Sequence, residues 1–305
     1  MALGIFGKDK VAEKTNAMGA PATGVDLVLE GGGMRGIFTA GVVDVLMEKG
    51  VYGFDTVWGT SAGAINAASY LAQQQGRYMR ETLAFRDDDR FMSIKSFAKT
   101  GDLTGGDFLY HTIQDELDPF DYETFARRRS RYMVVATNVV FGTPEYFEVK
   151  SLPEDVDKVR ASASLPVISH IVEIDGGRYL DGGTADSVPV ERALEEGAEK
   201  LVVVLTQHCG YEKKGGYELQ TLADARYSDF PYYLEALRSR AERYNEQREH
   251  IWELERQGKA VVIAPPEPVP FGSTSGFTGE NLLKLYLQGR TQATEALDAI
   301  RSFGA

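Results

Sequence analysis

The stretch that decides the fold is residues 25–74, VDLVLEGGGMRGIFTAGVVDVLMEKGVYGFDTVWGTSAGAINAASYLAQQ. A short apolar run over Val25–Glu30 ends in three glycines, and apolar side chains at helical spacing follow over Ile37–Lys49. A second apolar run, Phe54–Trp58, breaks at another glycine-rich turn and leads into a small-residue helix over Ala64–Gln74. This strand–helix–strand–helix order predicts an α/β fold with a mostly parallel central sheet flanked by helices.

The remaining chain supplies more elements of the same class. We predict core strands at Arg131–Asn138, Leu201–Leu205 and Ala260–Ala264, a hairpin with strands Ile171–Ile174 and Arg178–Leu180, and helices at Val156–Ser164, Phe230–Gln257 and Glu280–Ser302. The domain organisation that follows is a flexible tail over residues 1–24 and a single domain over residues 25–305. That domain would comprise a catalytic core over residues 25–210 and a mainly helical part over residues 211–305.

Composition excludes several classes of function. The chain has 305 residues, 43% of them hydrophobic and 26% charged, which is ordinary for a globular protein. Its net charge of −12 argues against nucleic acid as a partner. The single cysteine, Cys209, allows no intramolecular disulfide, and no apolar run reaches the roughly 18 residues of a membrane span. Without the apolar region of a signal peptide, the chain is expected to be cytoplasmic, and it could act peripherally at a membrane surface.

The segment Gly59–Gly63, GTSAG, fits the pattern G-x-S-x-G of a nucleophile elbow. In that turn a serine sits between a strand and a helix on a strained backbone, so Gly59 and Gly63, two positions to either side, must lack bulk. The helix that follows directs its N-terminal N–H groups toward the serine, where negative charge would develop. Ser61 is therefore the candidate nucleophile, and the alternative is an ordinary glycine turn with an exposed serine.

The segment Gly31–Gly36, GGGMRG, admits two functional interpretations. It matches the dinucleotide pattern G-x-G-x-x-G, but that site needs an acidic residue at the end of the second strand, where Trp58 and Gly59 stand. The other interpretation is an oxyanion hole formed by the N–H groups of this loop. Its residues would be Gly32, Gly33, Met34 and Arg35, with Gly31 and Gly36 supporting the turn. Because the loops after neighbouring parallel strands meet at one edge of a sheet, this donor loop and the serine loop would share a cleft.

Two kinds of base could serve Ser61. Among the four histidines, His111, His170, His208 and His250, only His208 follows a predicted strand. The competing base is Asp181, which follows a short apolar strand and precedes Gly182 and Gly183. Asp175 stands where a hairpin turn is expected, and Asp186 is placed to cap a helix.

Together these motifs resemble the patatin-like phospholipase family. The resemblance rests on Gly31–Gly36 after a first strand, Gly59–Gly63 after a second, and Asp181-Gly182-Gly183 far downstream. The run Arg160–Pro166, RASASLP, resembles the segment that precedes the aspartate in that family, and the likeness spans roughly Val25 to Leu205. Many members read Asp-Gly-Ala where this chain has Asp-Gly-Gly, a difference that removes no functional group.

The resemblance implies a three-layer fold and a Ser61–Asp181 dyad that hydrolyses acyl esters of lipids through an acyl-enzyme. It implies neither a metal nor another cofactor. A carboxylate with a reference pKa near 3.9 is a weak base, so we expect a desolvated site that raises the pKa of Asp181. The expected partner is a lipid or ester substrate, and the sequence specifies no oligomeric state. Two alternatives stay open: a Ser61–Asp181–His208 triad of the α/β-hydrolase type, and a non-catalytic lipid-binding protein on the same fold.

Overall fold

A single eight-stranded sheet runs through the protein, for which a computed structural model describes residues 22–91, 96, 101–102 and 106–305. The predicted tail lies outside the described residues up to position 21. The strands are β1 (Val25–Leu29), β2 (Thr56–Thr60), β3 (Arg131–Asn138), β4 (Pro144–Glu148), β5 (Val172–Ile174), β6 (Gly177–Asp181), β7 (Lys200–Val204) and β8 (Ala260–Ile263). Their order is β5-β6-β3-β2-β1-β7-β8, with β4 paired to β3. Strands β3, β2, β1, β7 and β8 are neighbours in that order and run parallel to one another. Strands β4, β5 and β6 form antiparallel pairs.

Helices cover both faces of this sheet. They are α1 (Gly36–Glu48), α2 (Ala62–Leu71), α3 (Arg77–Phe85), α4 (Phe108–Leu117, wound as a π-helix), α5 (Tyr122–Ala126), α6 (Val156–Ser162), α7 (Val190–Glu195), α8 (Gln220–Arg226), α9 (Pro231–Arg238), α10 (Arg240–Arg256) and α11 (Gly279–Ser302). Within the described ranges, no helix is both long enough and apolar enough to cross a bilayer.

The central strand β1 shows why helices must pack on both faces of the sheet. Leu27 and Leu29 belong to a core with α1, α2 and α11, whereas Val28 between them belongs to a second core with α7 and α10. Successive side chains of a strand point to opposite faces, so a strand that is apolar throughout must be buried on both. The predicted α/β fold with a mostly parallel sheet between helices is confirmed.

One predicted helix is wrong in its extent. The segment Phe230–Gln257 forms two helices, α9 and α10, with a break at Ser239. The Ser239 hydroxyl donates to the Glu235 carbonyl oxygen at 2.8 Å, a contact that bends helices. After this break, α9 packs against Val139 just after β3 and Leu180 of β6, whereas α10 packs against β1, β7 and β8.

Candidate active site

The two glycine-rich loops lie side by side, as predicted. Strands β1 and β2 are parallel neighbours, with Leu29 paired to Gly59 at their carboxyl ends. A methyl group on Gly31 would lie only 3.1 Å from the Cβ of Ser61. The loop that follows β1 therefore borders the serine directly, in one cleft.

Ser61 occupies a strained turn between β2 and α2. Its backbone has φ 55° and ψ −122°, in a region that residues with a side chain rarely adopt. A methyl group on Gly63 would lie 2.2 Å from the Leu29 carbonyl oxygen, and one on Gly59 would lie 2.6 Å from the Ala64 Cα. Both glycines are thus required by close backbone approach, which is the geometry that the G-x-S-x-G pattern predicts.

Asp181 ends strand β6 and faces this serine. Its side chain is 3% exposed, and its Oδ1 accepts a hydrogen bond from the Gly183 N–H at 2.7 Å. Burial raises the pKa of the Asp181 carboxyl, while the Ser61 hydroxyl and the Gly183 N–H oppose that rise. Within the described residues, Oδ2 has no partner at good hydrogen-bond geometry. The predicted desolvation of Asp181 is confirmed, and its carboxyl faces the Ser61 hydroxyl.

The end of helix α6 ties Ser61 to Asp181. The Ser61 N–H donates to the Ser162 hydroxyl oxygen at 2.9 Å, and the Asp181 N–H donates to the Ser164 carbonyl oxygen at 2.7 Å. No sequence pattern indicates a role for these two serines beyond their place in the run Arg160–Pro166. The run positions the backbones of both candidate catalytic residues.

In the loop after β1, some backbone N–H groups are available to a ligand and others already donate hydrogen bonds. In the described part of the chain, the N–H groups of Gly32 and Gly33 have no acceptor. The Met34 N–H, by contrast, donates to the Ser273 carbonyl oxygen at 2.8 Å. Met34 is therefore not open to an oxyanion in this conformation, contrary to the expectation from sequence. The oxygen of Ser273, in the loop before α11, approaches because Gly33 has no side chain; a methyl group there would lie 2.3 Å away.

Arg35 and Gly36 complete the loop. A methyl group on Gly36 would lie 2.8 Å from the Cβ of Ala62, so this glycine lets α1 and α2 approach each other beside the serine. The Arg35 side chain is half-buried, and its Nε has no hydrogen-bond partner among the described residues. A positive charge thus stands next to the candidate oxyanion hole.

The histidines lie elsewhere. The His208 ring packs edge-on against Tyr211, and the His250 ring contacts the Glu191 carboxylate. His111 and His170 line a separate, larger cavity. Within the described ranges, no histidine forms a hydrogen bond with Ser61 or Asp181.

The two other candidate aspartates, Asp175 and Asp186, occupy positions with a structural role. Asp175 is exposed in the β5–β6 turn with φ 50°. Asp186 is buried and accepts hydrogen bonds from Tyr146 and Gln247, and from the Val188 N–H just before α7. Neither aspartate belongs to the serine cleft. Across the described residues, no group of three or more His, Cys, Asp or Glu side chains is arranged to hold a metal ion.

A narrow pocket opens at the serine. Its lining includes Ser61, Gly33, Ile65, Leu109 and Tyr110. Three of these, Ile65, Leu109 and Tyr110, also line a second apolar cavity between α2, α4 and α6. An apolar pocket beside the serine suits a substrate with a hydrocarbon chain.

A serine in a strained strand–helix turn on a mostly parallel α/β sheet is typical of a class of hydrolases, and comparison with known families identifies the particular family. The family described as patatin-like phospholipase matches residues 27–194, which is more than half of the chain. The protein belongs to the patatin-like phospholipase family. A second family, a domain of unknown function designated DUF6363, matches residues 230–304.

Curated relatives match over part of their length. YjjU of Escherichia coli (strain K12) is 35% identical over 187 residues, 60% of this chain and 52% of YjjU. Lysophospholipase nte1 of Aspergillus oryzae is 30% identical over 189 residues, 59% of this chain and 12% of that protein. The chain thus spans about half or less of the relatives it matches. Among solved structures, VipD from Legionella pneumophila matches with a TM-score of 0.48 and 17% identity, over 96% of this chain and 72% of that chain.

Proposed function

We propose that this protein is a serine lipid acyl hydrolase in which Ser61 and Asp181 form a catalytic dyad and the reaction proceeds through an acyl-enzyme. The observation that carries this proposal is the strained Ser61 turn facing a buried carboxylate whose pKa is raised, with no imidazole bonded to either group among the described residues. Membership of the patatin-like phospholipase family supports a lipid substrate. The protein would act in the cytoplasm or peripherally at a membrane.

The proposed first step forms the acyl-enzyme. Asp181 accepts the proton of the Ser61 hydroxyl as the serine oxygen attacks the acyl carbonyl carbon. The oxygen of the tetrahedral intermediate receives hydrogen bonds from the N–H groups of Gly32 and Gly33, each typically contributing about 3–4 kcal/mol. The intermediate collapses with loss of the alcohol, to which Asp181 returns the proton.

The second step releases the acyl chain. Asp181 takes a proton from a water molecule, whose oxygen attacks the acyl carbonyl of Ser61. Collapse of the second intermediate breaks the bond to the serine oxygen, which recovers the proton from Asp181, and the fatty acid leaves. The raised pKa of Asp181 favours both transfers, because a carboxylate that is harder to ionise is a stronger base.

A panel of esters tests the proposal, with chain length and head group varied independently. The wild type and Ser61→Ala are assayed in parallel, and both are treated with a fluorophosphonate probe, which labels activated serines. We expect ester turnover and labelling in the wild type and neither in Ser61→Ala. Turnover that persists in Ser61→Ala, or an unlabelled wild type, would reject Ser61 as the nucleophile.

A further inference from the structure

A buried carboxyl group lines the apolar pocket beside Ser61. Glu81 of α3 is 4% exposed, and it shares the lining of this pocket with Ile65, Leu109 and Tyr110. Burying an ionised carboxyl in apolar surroundings is costly, so such groups are rare inside proteins unless another group pairs with them. No step of the proposed hydrolysis uses Glu81. Its position beside the candidate nucleophile therefore needs another reason.

The face of α3 that meets the pocket carries Tyr78, Glu81 and Thr82. Residues three and four positions apart lie on one face of a helix, so these side chains point in the same direction. The Tyr78 hydroxyl donates to the Gly33 carbonyl oxygen at 3.3 Å, which ties this face to the loop after β1. Glu81 thus lies one helical turn from a side chain that contacts the candidate oxyanion hole. An acyl chain bound in this pocket with its carbonyl at Ser61 would contact Glu81.

Arg77 holds the Glu81 carboxyl from the side of the second apolar cavity. Its Nη1 lies 2.7 Å from the Oε1 of Glu81, and its Nη2 donates to the Asp118 carbonyl oxygen at 2.6 Å. Its guanidinium carbon lies 5.3 Å from the centre of the Phe120 ring. Arg77 is 2% exposed and lines the second cavity, whereas Glu81 lines the pocket at the serine. The ion pair therefore has one partner in the wall of each cavity, and the guanidinium is anchored by other contacts as well.

The ion pair leaves the Glu81 carboxyl able to accept further hydrogen bonds. An ionised carboxylate offers about four acceptor positions on its two oxygens. Among the described residues, Oε1 has no hydrogen bond of good geometry, despite its short distance from Arg77. Burial raises the pKa of Glu81 to about 7 against the opposing charge of Arg77, with smaller contributions from Asp118 and Arg80. An additional hydrogen-bond donor in the pocket would therefore stabilise this carboxyl.

We propose that Glu81 binds a hydroxyl group on the acyl chain, so that the preferred substrates are esters of hydroxylated fatty acids. This inference rests on the proposed hydrolase function. A hydroxyl group both donates and accepts, so it can pair with Glu81 whether the carboxyl is ionised or protonated. An ammonium group could pair only with the ionised carboxyl, and the charge of Arg77 would repel it. A neutral donor therefore fits the ion pair best.

An unsubstituted acyl chain would bind at a disadvantage in this pocket. Its methylene groups would exclude water from the Glu81 carboxyl without supplying a donor. A site that bonds a substrate hydroxyl discriminates strongly against the analogue that lacks it, because a buried polar group is then left unpaired. Stability of α3 alone does not require the pair, since apolar residues of similar volume often replace a buried ion pair without loss of stability. A purely structural pair would also not distinguish the two kinds of acyl chain.

The test uses p-nitrophenyl octanoate and its analogues with one hydroxyl group at each successive carbon of the chain. In the wild type, we expect kcat/KM to be at least about tenfold higher for one hydroxylated ester than for the unsubstituted ester. Arg77→Met/Glu81→Leu replaces both partners with apolar side chains, so it should fold, and the ratio should decrease to about one. Arg77→Met/Glu81→Gln keeps an acceptor oxygen and should retain most of the preference. Arg80→Met removes an exposed cation from the same helix and should leave the ratio unchanged.

Three results of this assay would overturn the inference. The first is a wild-type ratio near one at every hydroxyl position, which requires no variant. The second is a preference that persists in Arg77→Met/Glu81→Leu, because another residue would then bind the hydroxyl group. The third is an equal loss of preference in both double variants, which would assign the effect to the packing of α3 rather than to an acceptor at position 81.

Binding of the free fatty acids separates this inference from the hydrolase proposal. Ser61→Ala is titrated by calorimetry with octanoate and with each hydroxyoctanoate isomer. One isomer should bind at least about tenfold more tightly than octanoate, and Arg77→Met/Glu81→Leu should abolish the difference. If no ester shows Ser61-dependent turnover, the hydrolase proposal fails and this titration decides the Glu81 site, with equal binding of all the acids overturning the inference. If turnover depends on Ser61 but no hydroxyl position is preferred, the hydrolase proposal stands and the inference fails.

Discussion

Replacing Asp181 with asparagine should stabilise the protein at neutral pH while removing its activity. The carboxyl is 3% exposed, and burial raises its pKa, which means that the folded protein holds the ionised form at a cost. Asparagine keeps an oxygen that can accept from the Gly183 N–H, and its amide can donate to the Ser61 hydroxyl. The substitution therefore removes a buried charge without losing the packing of the side chain.

The expected gain in stability follows from the Oδ2 atom of Asp181, which has no hydrogen-bond partner among the described residues. Oδ2 of Asp181 is buried without a well-formed hydrogen bond in the described structure, and an unsatisfied buried polar atom costs about 1–3 kcal/mol. The nearby charges of Arg240 and Lys213 recover part of that cost. We expect Asp181→Asn to raise the free energy of unfolding by about 1–2 kcal/mol at pH 7.

The raised pKa of Asp181 also determines how the stability difference between Asp181→Asn and the wild type changes with pH. Below the unfolded pKa near 3.8 the carboxyl is protonated in both states, so the wild type carries no ionisation penalty. As pH rises through the raised folded pKa, the wild type loses stability, and the neutral variant does not. The advantage of Asp181→Asn should therefore be absent well below pH 3.8, grow as pH rises above that value, and level off once pH exceeds the folded pKa of Asp181.

Denaturant unfolding at several pH values measures the difference. Asp175→Asn is the matched control, because it makes the same chemical change at an exposed turn and should leave stability nearly unchanged. Equal or lower stability of Asp181→Asn at pH 7, or an advantage that is the same at pH 4 and pH 7, would refute the reasoning.

Three further predictions concern the cleft. Gly63→Ala, which brings a methyl group to 2.2 Å from the Leu29 carbonyl oxygen, should lower the free energy of unfolding by about 2–3 kcal/mol, whereas Gly216→Ala, with open space around it, should not; thermal unfolding compares the two. Ser162→Ala removes the acceptor of the Ser61 N–H and should lower kcat on a neutral ester by about tenfold or more. Ser164→Ala, which keeps its carbonyl contact to Asp181, serves as the control. Equal losses of kcat in both variants would count against positioning of Ser61 by Ser162. The kcat/KM of the wild type on a neutral ester should rise with pH as Asp181 ionises, with a midpoint above 3.8, and a rate that falls over the acid range as pH increases would contradict a carboxylate base.

The sequence predicts the centre of the fold because local and global requirements agree there. Apolar runs such as Val25–Glu30 are buried on both faces, so they have the composition of central parallel strands. Each run ends at a glycine turn whose small residues are required by contacts of 3.1 Å or less. Adjacent parallel strands then place their loops together without further information.

Other features depend on contacts that no local pattern encodes. Strand β4 is half-buried throughout, so Pro144–Glu148 shows no apolar alternation, and the sequence gives no sign of it. The break at Ser239 lies inside a continuous helical pattern and is visible only as a back-bonding hydroxyl. The engagement of Met34 by Ser273 joins residues 239 positions apart, and likewise Arg240 reaches Gly183 only through the packing of α10.

The most direct test of the dyad measures kcat/KM on one ester for Asp181→Asn and His208→Ala, with Ser61→Ala as the baseline. Removal of a general base typically costs about 10²–10⁴-fold, so Asp181→Asn should fall by that factor toward the baseline while remaining folded. His208→Ala should stay within about threefold of the wild type, since the His208 ring contacts Tyr211 rather than the serine. The opposite pattern, collapse in His208→Ala with near-normal turnover in Asp181→Asn, would contradict a carboxylate base and establish an imidazole in its place.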